Sequence, residues 1–191
     1  MRRIGASSVI SFNTFYGETC HGVIVEDTSH FSSTSDSFDG CDGWPMLMRD
    51  TSTADYFRPE IANNSTHIGG VVGTQLSSTP RVRIRDAGIH DNPYGAAGSV
   101  EGFIVESDLS SLAPVGVTMF NTLWYANRVE GAYVYQSPLL GMYGRSLADV
   151  QNATMVDNEA ELHIILEQEG AIYLDDSVIA AGALDRHCDD P

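Results

Sequence analysis

Two Cys–His pairs lie near opposite ends of the chain and are the first candidates for metal chemistry. Cys20 precedes His21, and His187 precedes Cys188. A structural zinc site needs four such ligands, commonly supplied as two pairs. Adjacent residues on a strand point to opposite faces, however, so this spacing disfavours zinc. The odd count of three cysteines excludes a full disulfide framework, and a Cys20–Cys188 disulfide that leaves Cys41 over stays open.

A second candidate is an acidic stretch in which Asp36, Asp39 and Asp42 recur at every third position, with Gly40 and Gly43 permitting tight turns. Hard cations such as calcium take several carboxylates from one flexible loop. The spacing does not match that of an EF-hand loop, which needs acids at its first, third and fifth positions. We therefore expect a solvated acidic loop and leave open whether it binds a divalent cation.

Catalytic signals are weak elsewhere. His90 and Asp91 are adjacent, whereas a facial metal triad needs one residue between them, so the pair with its following "NPYG" favours a turn. No Gly-x-Ser-x-Gly elbow is present. Trp124 and Tyr125 could form a sugar platform, but their apolar surroundings favour core or interface. We predict no catalytic, cofactor-binding or metal-binding residue, no cofactor, and a non-enzymatic role.

Charge is the unusual feature of the composition. The 191 residues carry 26 acidic and 10 basic side chains, a formal net charge of −16, and every basic residue is Arg. Dense carboxylates without Lys suit a salt-rich solvent or a GC-rich genome, and we expect a halophilic or GC-rich origin. Phosphate recognition needs clustered cations, so direct nucleic-acid binding is not expected.

The elements that would position these residues are short apolar runs bordered by turn residues. The candidate strands are 8–12, 21–26, 68–73, 81–86, 100–106, 115–120, 131–136, 161–168 and 171–174. Helical signal is confined to 145–151 and 177–184. This pattern predicts an all-β fold, a sandwich or jelly roll or a small barrel, with at most two short helices and no internal repeat.

One domain, 1–191, is expected, with residues 27–66 forming a long acidic, Ser/Thr-rich loop or arm within it. No run of the sequence is long and apolar enough for a transmembrane helix, and no signal peptide is evident. Arg81, Arg83 and Arg85 alternate with apolar residues, which predicts a strand with one wet face. That face is either solvated or forms salt bridges with a neighbouring subunit.

The strand "PRVRIRD" at 80–86, the arm 27–66 and the Tyr-rich apolar block 115–143 give the chain a general character. In this character it resembles the capsid and head-decoration proteins of viruses that infect halophilic archaea or GC-rich bacterial hosts. The resemblance implies a jelly-roll, small-barrel or tulip-like fold and a location in the virion. It transfers no individual residue.

We therefore expect a structural subunit of a viral particle (capsid, decoration or tail-type). It would contact copies of itself and other virion proteins through subunit interfaces, keep a hydrated acidic surface and be oligomeric. The alternative is a cupin-like barrel that binds a small molecule or carbohydrate. That alternative needs inward-pointing histidines, of which only His163 plainly lies on a strand. An unrecognised hydrolase is the third hypothesis.

Overall fold

The computed structural model describes residues 2–3, 7–17, 22–65, 67–73, 79–92, 101–107, 113–129, 138–160 and 162–180. All regular secondary structure within these residues is β-strand, as the sequence predicted. Over the same residues, no helix has the length and apolar character needed to cross a membrane.

The strands follow one another in seven turns of the chain, which we call rungs. The first rung contains β1 (Arg2–Arg3), β2 (Ser7–Ser11) and β3 (Thr14–Tyr16). The second contains β4 (Val23–Val25), β5 (His30–Thr34) and β6 (Ser37–Asp39). The third contains β7 (Met46–Arg49), β8 (Thr53–Phe57) and β9 (Glu60–Ala62). The fourth contains β10 (His67–Gly73), β11 (Arg81–Arg85) and β12 (Gly88–His90). The fifth contains β13 (Glu101–Ser107), β14 (Val115–Phe120), β15 (Leu123–Tyr125) and β16 (Arg128–Val129). The sixth contains β17 (Pro138–Tyr143), β18 (Ser146–Gln151), β19 (Thr154–Val156) and β20 (Glu159–Ala160). The seventh contains β21 (Leu162–Leu166), β22 (Ala171–Asp175) and β23 (Val178–Ile179).

Each rung contributes one strand to each of three sheets, and every pairing is parallel. The first sheet has the order β1-β4-β7-β10-β13-β17-β21, the second β2-β5-β8-β11-β14-β18-β22, and the third β3-β6-β9-β12-β15-β19-β23. Strands β16 and β20 form an additional parallel pair. The chain thus winds as a parallel β-helix, in which each rung stacks on the one before.

The predicted sandwich, jelly roll or small barrel is therefore wrong, and so is the cupin-like alternative that required a barrel. A jelly roll pairs its strands antiparallel, whereas these strands all run parallel in three open sheets. The physical reason is that short apolar runs bordered by turn residues define strands equally well in both arrangements. What separates the two arrangements is the partner of each strand, which lies one rung away in the sequence.

The expectation of no internal repeat is also wrong, because each rung is a structural repeat. The repeats do not all have the same length. His30 contacts Thr53 of the next rung, 23 residues on. Further along, Asn92 contacts Asn127, and their separation is 35 residues. The first three rungs repeat every 23 residues in the second and third sheets, but the later connections are longer, so this period is not kept along the chain.

The long arm predicted for residues 27–66 is instead built into the solenoid, since it contains the strands β5 to β9. Phe31, Phe38, Tyr56 and Ile61 are completely buried and provide its apolar anchors. Ser and Thr residues that suggested a mobile segment belong to strands, as in β5, whose side chains alternate between half-buried and buried positions. Alternation with period two is the signature of a strand, even where the outward residues are small and polar.

Neither predicted helix is found among the described residues. The segment 145–151 contains β18, whose side chains alternate between buried and half-buried positions. The candidate 177–184 contains β23, and its remainder lies outside the described residues. Eight of the nine candidate strands overlap observed strands, and the ninth, 131–136, also lies outside them.

The core is a set of columns of stacked side chains that run along the solenoid axis. In the third sheet one inward column is formed, rung by rung, by Phe15, Phe38, Ile61, Ile89, Trp124, Met155 and Ile179. The rings of Phe15 and Phe38 stack 5.0 Å apart, and Tyr56 meets Phe38 edge-on at 5.9 Å. Burial, and secondarily the charge of Asp36, raise the pKa of Tyr56 far above its ordinary value.

At the corner between the second and third sheets, one residue of every rung has a positive φ. These residues are Phe12, Ser35, Arg58, Asp86, Asn121, Asn152 and Asp176. The left-handed conformation costs an ordinary residue roughly 1–2 kcal/mol. The ladder of hydrogen bonds continues through the bend, as when the N–H of Ser35 donates to the carbonyl of Phe57 at 2.8 Å. Inter-rung bonding therefore offsets local strain at this corner.

Candidate functional site

Interacting ionisable side chains surround His90, on the outer face of the third sheet. His90 ends β12 and lies in register between Ala62 and Tyr125 of the neighbouring rungs. Its Nε2 is hydrogen-bonded to Oε1 of Glu60, and its Nδ1 lies 2.8 Å from Oδ2 of Asp91. Both ring nitrogens are thus paired with carboxylates. We call Glu60, His90 and Asp91 the histidine cluster.

Small residues make room for this arrangement. Gly88 is the register partner of Glu60, and a Cβ added at Gly88 would lie 2.6 Å from Oε2 of that carboxylate. The absence of a side chain therefore lets Glu60 cross the neighbouring strand to reach His90. On the opposite side, the ring of Tyr125 stacks on the imidazole with centroids 4.6 Å apart and planes at 10°.

The electrostatics of the histidine cluster favour the imidazolium form. Burial by itself lowers the pKa of His90, but the hydrogen bonds to Glu60 and Asp91 and the charges of these carboxylates outweigh it, so the pKa lies above its ordinary value. The imidazole side chain is only 15% exposed, whereas Glu60 and Asp91 are 51% and 55% exposed. The cluster is thus a charged clamp with its carboxylates open to solvent.

This geometry limits the chemistry available to the cluster. The two carboxylates lie at opposite nitrogens of one ring, so they do not converge on a point where a cation could sit. Within the described residues, no three His, Cys, Asp or Glu side chains form a metal-binding group. A general base would need a free imidazole nitrogen, and both nitrogens here donate to carboxylates. The cluster is best suited to joining the third and fourth rungs.

The sequence pattern predicted a turn at His90 and Asp91 and gave no link to Glu60. Asp91 does turn the chain, with a φ of 51°, but its carboxylate also bonds to the histidine before it. Glu60 could not be found by spacing, because it lies 30 residues away in the preceding rung. The available sequence signal was Gly88, whose role depends on a register that only stacking defines.

The acidic triplet predicted as a solvated loop is divided among separate positions, so that prediction is wrong. Asp36 is buried and accepts hydrogen bonds from Ser33 Oγ at 2.6 Å and from Asn13 N at 2.7 Å. Asp39 accepts from Asn63 Nδ2, and Asp42 accepts from Ser65 Oγ. The three carboxylates serve three different contacts between rungs and do not face one cation.

Cys41 is buried and disulfide-bonded. Cys41 is therefore not the cysteine that is left over. The other cysteines, with His21 and His187, lie outside the described residues. The hypothesis that Cys41 is the unpaired cysteine was therefore wrong.

A buried ladder of asparagines was missed entirely by the sequence analysis. Asn64, Asn92, Asn127 and Asn158 stack in successive rungs just after the third sheet. The side-chain amides of the first three donate to the next side-chain carbonyl, and all four donate to a main-chain carbonyl, as when Asn127 Nδ2 donates to Ile89 O at 2.9 Å. The ladder satisfies buried backbone groups at a bend, which apolar side chains could not do. It is a structural device, and each of its members follows directly after a positive-φ residue of a second set, which comprises Asn63, Asp91, Ala126 and Asp157.

The outer face of the second sheet holds the predicted arginine strand. Arg81, Arg83 and Arg85 of β11 are exposed while Val82 and Ile84 are buried, which confirms the predicted wet and dry faces. This row of three cations stands out in a chain of net charge −16.

Neighbouring side chains partly fix the arginine row. Nη1 of Arg83 lies 3.3 Å from Oδ1 of Asp55. The guanidinium groups of Arg58 and Arg85 lie over the ring of Phe57, at 4.9 and 5.4 Å from its centroid. The row is thus held in place while its arginines remain exposed.

The fold and the site together define a parallel β-helix whose polar clusters bond successive rungs to one another. Comparison with known proteins adds nothing to this class, since no family model, no curated protein and no solved structure matches the chain.

Proposed function

We propose that this chain is a non-enzymatic structural subunit that acts through contacts with copies of itself and with other proteins, and that the assembly it belongs to is a viral particle. The observation that carries the proposal is where exposed apolar side chains lie. Those of the first rung are Val9, Phe12 and Tyr16, and those of the last are Tyr173, Leu174 and Val178. Among the residues that the structure describes between these two rungs, only Phe120 and Leu123 are exposed in this way.

Exposed apolar side chains on the first and last described rungs favour contact of these rungs with a further subunit. In repeat proteins each rung is covered only by its neighbours, so a terminal rung must meet something else or be polar. An exposed apolar patch of this kind marks an interaction surface. A head-to-tail contact, in which different surfaces of two copies meet, generates open assemblies. The histidine cluster and the asparagine ladder support the non-enzymatic part of the proposal, because their polar groups are hydrogen-bonded to one another.

The assembly part is tested by light scattering coupled to size exclusion, in molar and in low salt, with electron microscopy of the products. We expect particles larger than a monomer. Tyr16→Asp in the first rung and Val178→Asp in the last should each reduce their size. The matched control is Leu123→Asp, which places the same charge at an exposed apolar position between the two ends. A strict monomer in both solvents, with turnover of any substrate, would contradict the proposal.

The virion part needs a separate measurement. Virus particles are purified by density gradient from a culture that carries the gene, and their proteins are identified by peptide mass spectrometry. We expect peptides of this chain to rise and fall with the major particle proteins across the gradient. Peptides found only at the top of the gradient would remove the virion assignment and leave the assembly proposal standing.

A further inference from the structure

We propose that the outer face of the second sheet binds the same face of a second copy of this chain about a two-fold axis parallel to β14. The inference rests on the proposed assembly function and deepens it by naming a lateral contact. It starts from the distribution of charge on five adjacent strands, which are β8, β11, β14, β18 and β22 in spatial order.

The arginine row and the carboxylates of β18 and β22 lie on opposite sides of β14 on this face, while Asp55 of β8 lies on the arginine side and pairs with Arg83. On one side β11 presents Arg81, Arg83 and Arg85. On the other side Asp149 of β18 and Asp175 of β22 occupy outward positions. Along the row that passes through Arg83, the register partners are Thr118 on β14 and then Asp149. Arg83 and Asp149 therefore lie one strand to either side of Thr118, and within the chain Arg83 pairs with Asp55 on the other neighbouring strand.

A two-fold axis that lies between two such faces and runs along β14 exchanges their halves. Position along each strand is kept, while β11 of one copy comes to lie over β18 of the other. Arg83 then faces Asp149 of the second copy, and the contact occurs twice because the interface is isologous. The guanidinium of Arg83 has donors to spare, since it carries five N–H groups and only its Nη1 contact with Asp55 is occupied.

The outer strands fit the same operation. Strand β8 comes to lie over β22, so Phe57 faces Asp175 of the second copy. That carboxylate meets the two guanidinium groups, of Arg58 and Arg85, that lie over the Phe57 ring. Asp55 faces Tyr173, which is 66% exposed and carries a hydroxyl donor.

Residues on the axis allow close approach. Phe120 is 46% exposed and would meet Phe120 of the second copy. Gly116 and Thr118, also on β14, are small and half-buried. An apolar contact at the centre with charged pairs around it is the usual anatomy of a specific interface.

The size of the face predicts a weak contact. Strands about 4.8 Å apart and residues about 3.3 Å apart make a patch of roughly 20 by 15 Å. This is small against the roughly 800 Å² per partner of a standard interface. We therefore expect an association in the micromolar range, strong enough to matter where many subunits are held side by side.

Analytical ultracentrifugation over a wide concentration range tests the contact at one fixed ionic strength. We expect reversible dimerisation of the wild type. Arg83→Asp and Asp149→Arg should each weaken it by at least about tenfold, since each introduces two like-charge contacts. The double variant Arg83→Asp/Asp149→Arg should recover most of the affinity, because the exchanged charges meet again and the net charge returns to that of the wild type.

The control is Arg145→Asp, which changes the net charge as much as Arg83→Asp does. Arg145 pairs with Glu169 at 3.0 Å, outside the five-strand face, so this variant should dimerise as the wild type does. Far-ultraviolet circular dichroism and a thermal melt check that each variant is folded. Should a variant fail to fold, cross-linking of Cys substitutions at Thr118, which the axis brings together, gives an independent readout.

Three outcomes would overturn the inference. The first is a double variant that dimerises as weakly as the single variants, and the second is a Thr118→Cys protein that fails to cross-link. The third is a monomeric wild type that binds polygalacturonate, together with an Arg83→Asp variant that does not bind it, which would make the arginine row a polyanion site. Loss of the lateral dimer with end-to-end particles retained would refute this contact alone, whereas a wild type that is monomeric under every condition would refute the proposed function as well.

Discussion

Asn92 Nδ2 donates a hydrogen bond to Asn127 Oδ1 at 2.7 Å, inside the core and across 35 residues of sequence. The acceptor amide in turn donates to Asn158 Oδ1 at 2.8 Å, so the two contacts tie three successive rungs together. The asparagine ladder to which they belong stabilises the bend that follows the third sheet.

Replacing Asn127 by Ala should lower the free energy of unfolding by about 2–4 kcal/mol, because it leaves buried donors and acceptors of both neighbouring rungs without partners. Urea unfolding followed by circular dichroism measures the change. The control Gln151→Ala removes an amide whose side chain points away from the core and should change stability by no more than about 0.5 kcal/mol. Equal effects of the two substitutions would contradict the role of the ladder.

The histidine cluster should make stability depend on pH. The pKa of His90 is raised in the folded protein, so its contribution is fully present below the unfolded value of about 6.5. It is then lost as the pH rises through the folded pKa. We expect the difference in melting temperature between the wild type and His90→Gln to shrink as the pH is raised from slightly acidic to alkaline. Because repulsion among the remaining charges is largely common to both proteins, the difference isolates this residue. A difference that is constant with pH would refute the charged clamp.

Gly88→Ala should separate Glu60 from His90. The added methyl group would lie 2.6 Å from Oε2 of Glu60, and the flexible carboxylate end is what can move. The pKa of His90 should therefore fall toward its ordinary value, which an NMR titration of the imidazole C–H signals measures. Gly116→Ala is the control, since the nearest atom to its added methyl is 3.4 Å away. An unchanged titration in Gly88→Ala would show that Glu60 reaches His90 by another path.

Ala126→Gly should stabilise the protein. Ala126 has a φ of 52° and is exposed, so glycine relieves a left-handed conformation that costs roughly 1–2 kcal/mol, less the greater entropy of the unfolded glycine chain. We expect a net gain of about 0.5–1 kcal/mol in thermal or urea unfolding. The same substitution at Ala171, within β22, should have the opposite sign, since glycine weakens a strand interior. Loss of stability at both positions would contradict the backbone argument.

Local features of the fold could be predicted from the sequence because they depend on neighbouring residues. Arg81, Arg83 and Arg85 alternate with apolar residues, and this alone defined a strand with one wet face. The segment 27–66 was misread because its outward residues are small and hydroxylated, which is typical of both loops and the polar faces of strands. The 145–151 segment was misread as a helix because its residues have adequate helix propensity, which tertiary context overrides.

The histidine cluster could not be predicted from spacing. Glu60 and His90 are 30 residues apart, and rungs of unequal length give no period from which to infer that they meet. The same irregularity concealed the asparagine ladder, although three of its four members follow directly after an Asn or Asp in the sequence.

The sequence by itself determined that the chain is built of short β-strands, that its surface is strongly acidic, and that one strand presents a row of arginines. These properties follow from composition and from the period-two alternation of side chains, which act within a few residues. The tertiary structure decided that the strands run parallel, that they stack in three sheets, and which side chains meet across rungs. Those outcomes depend on the register between segments 21 to 37 residues apart, and register is fixed by the joint packing of whole columns of core residues.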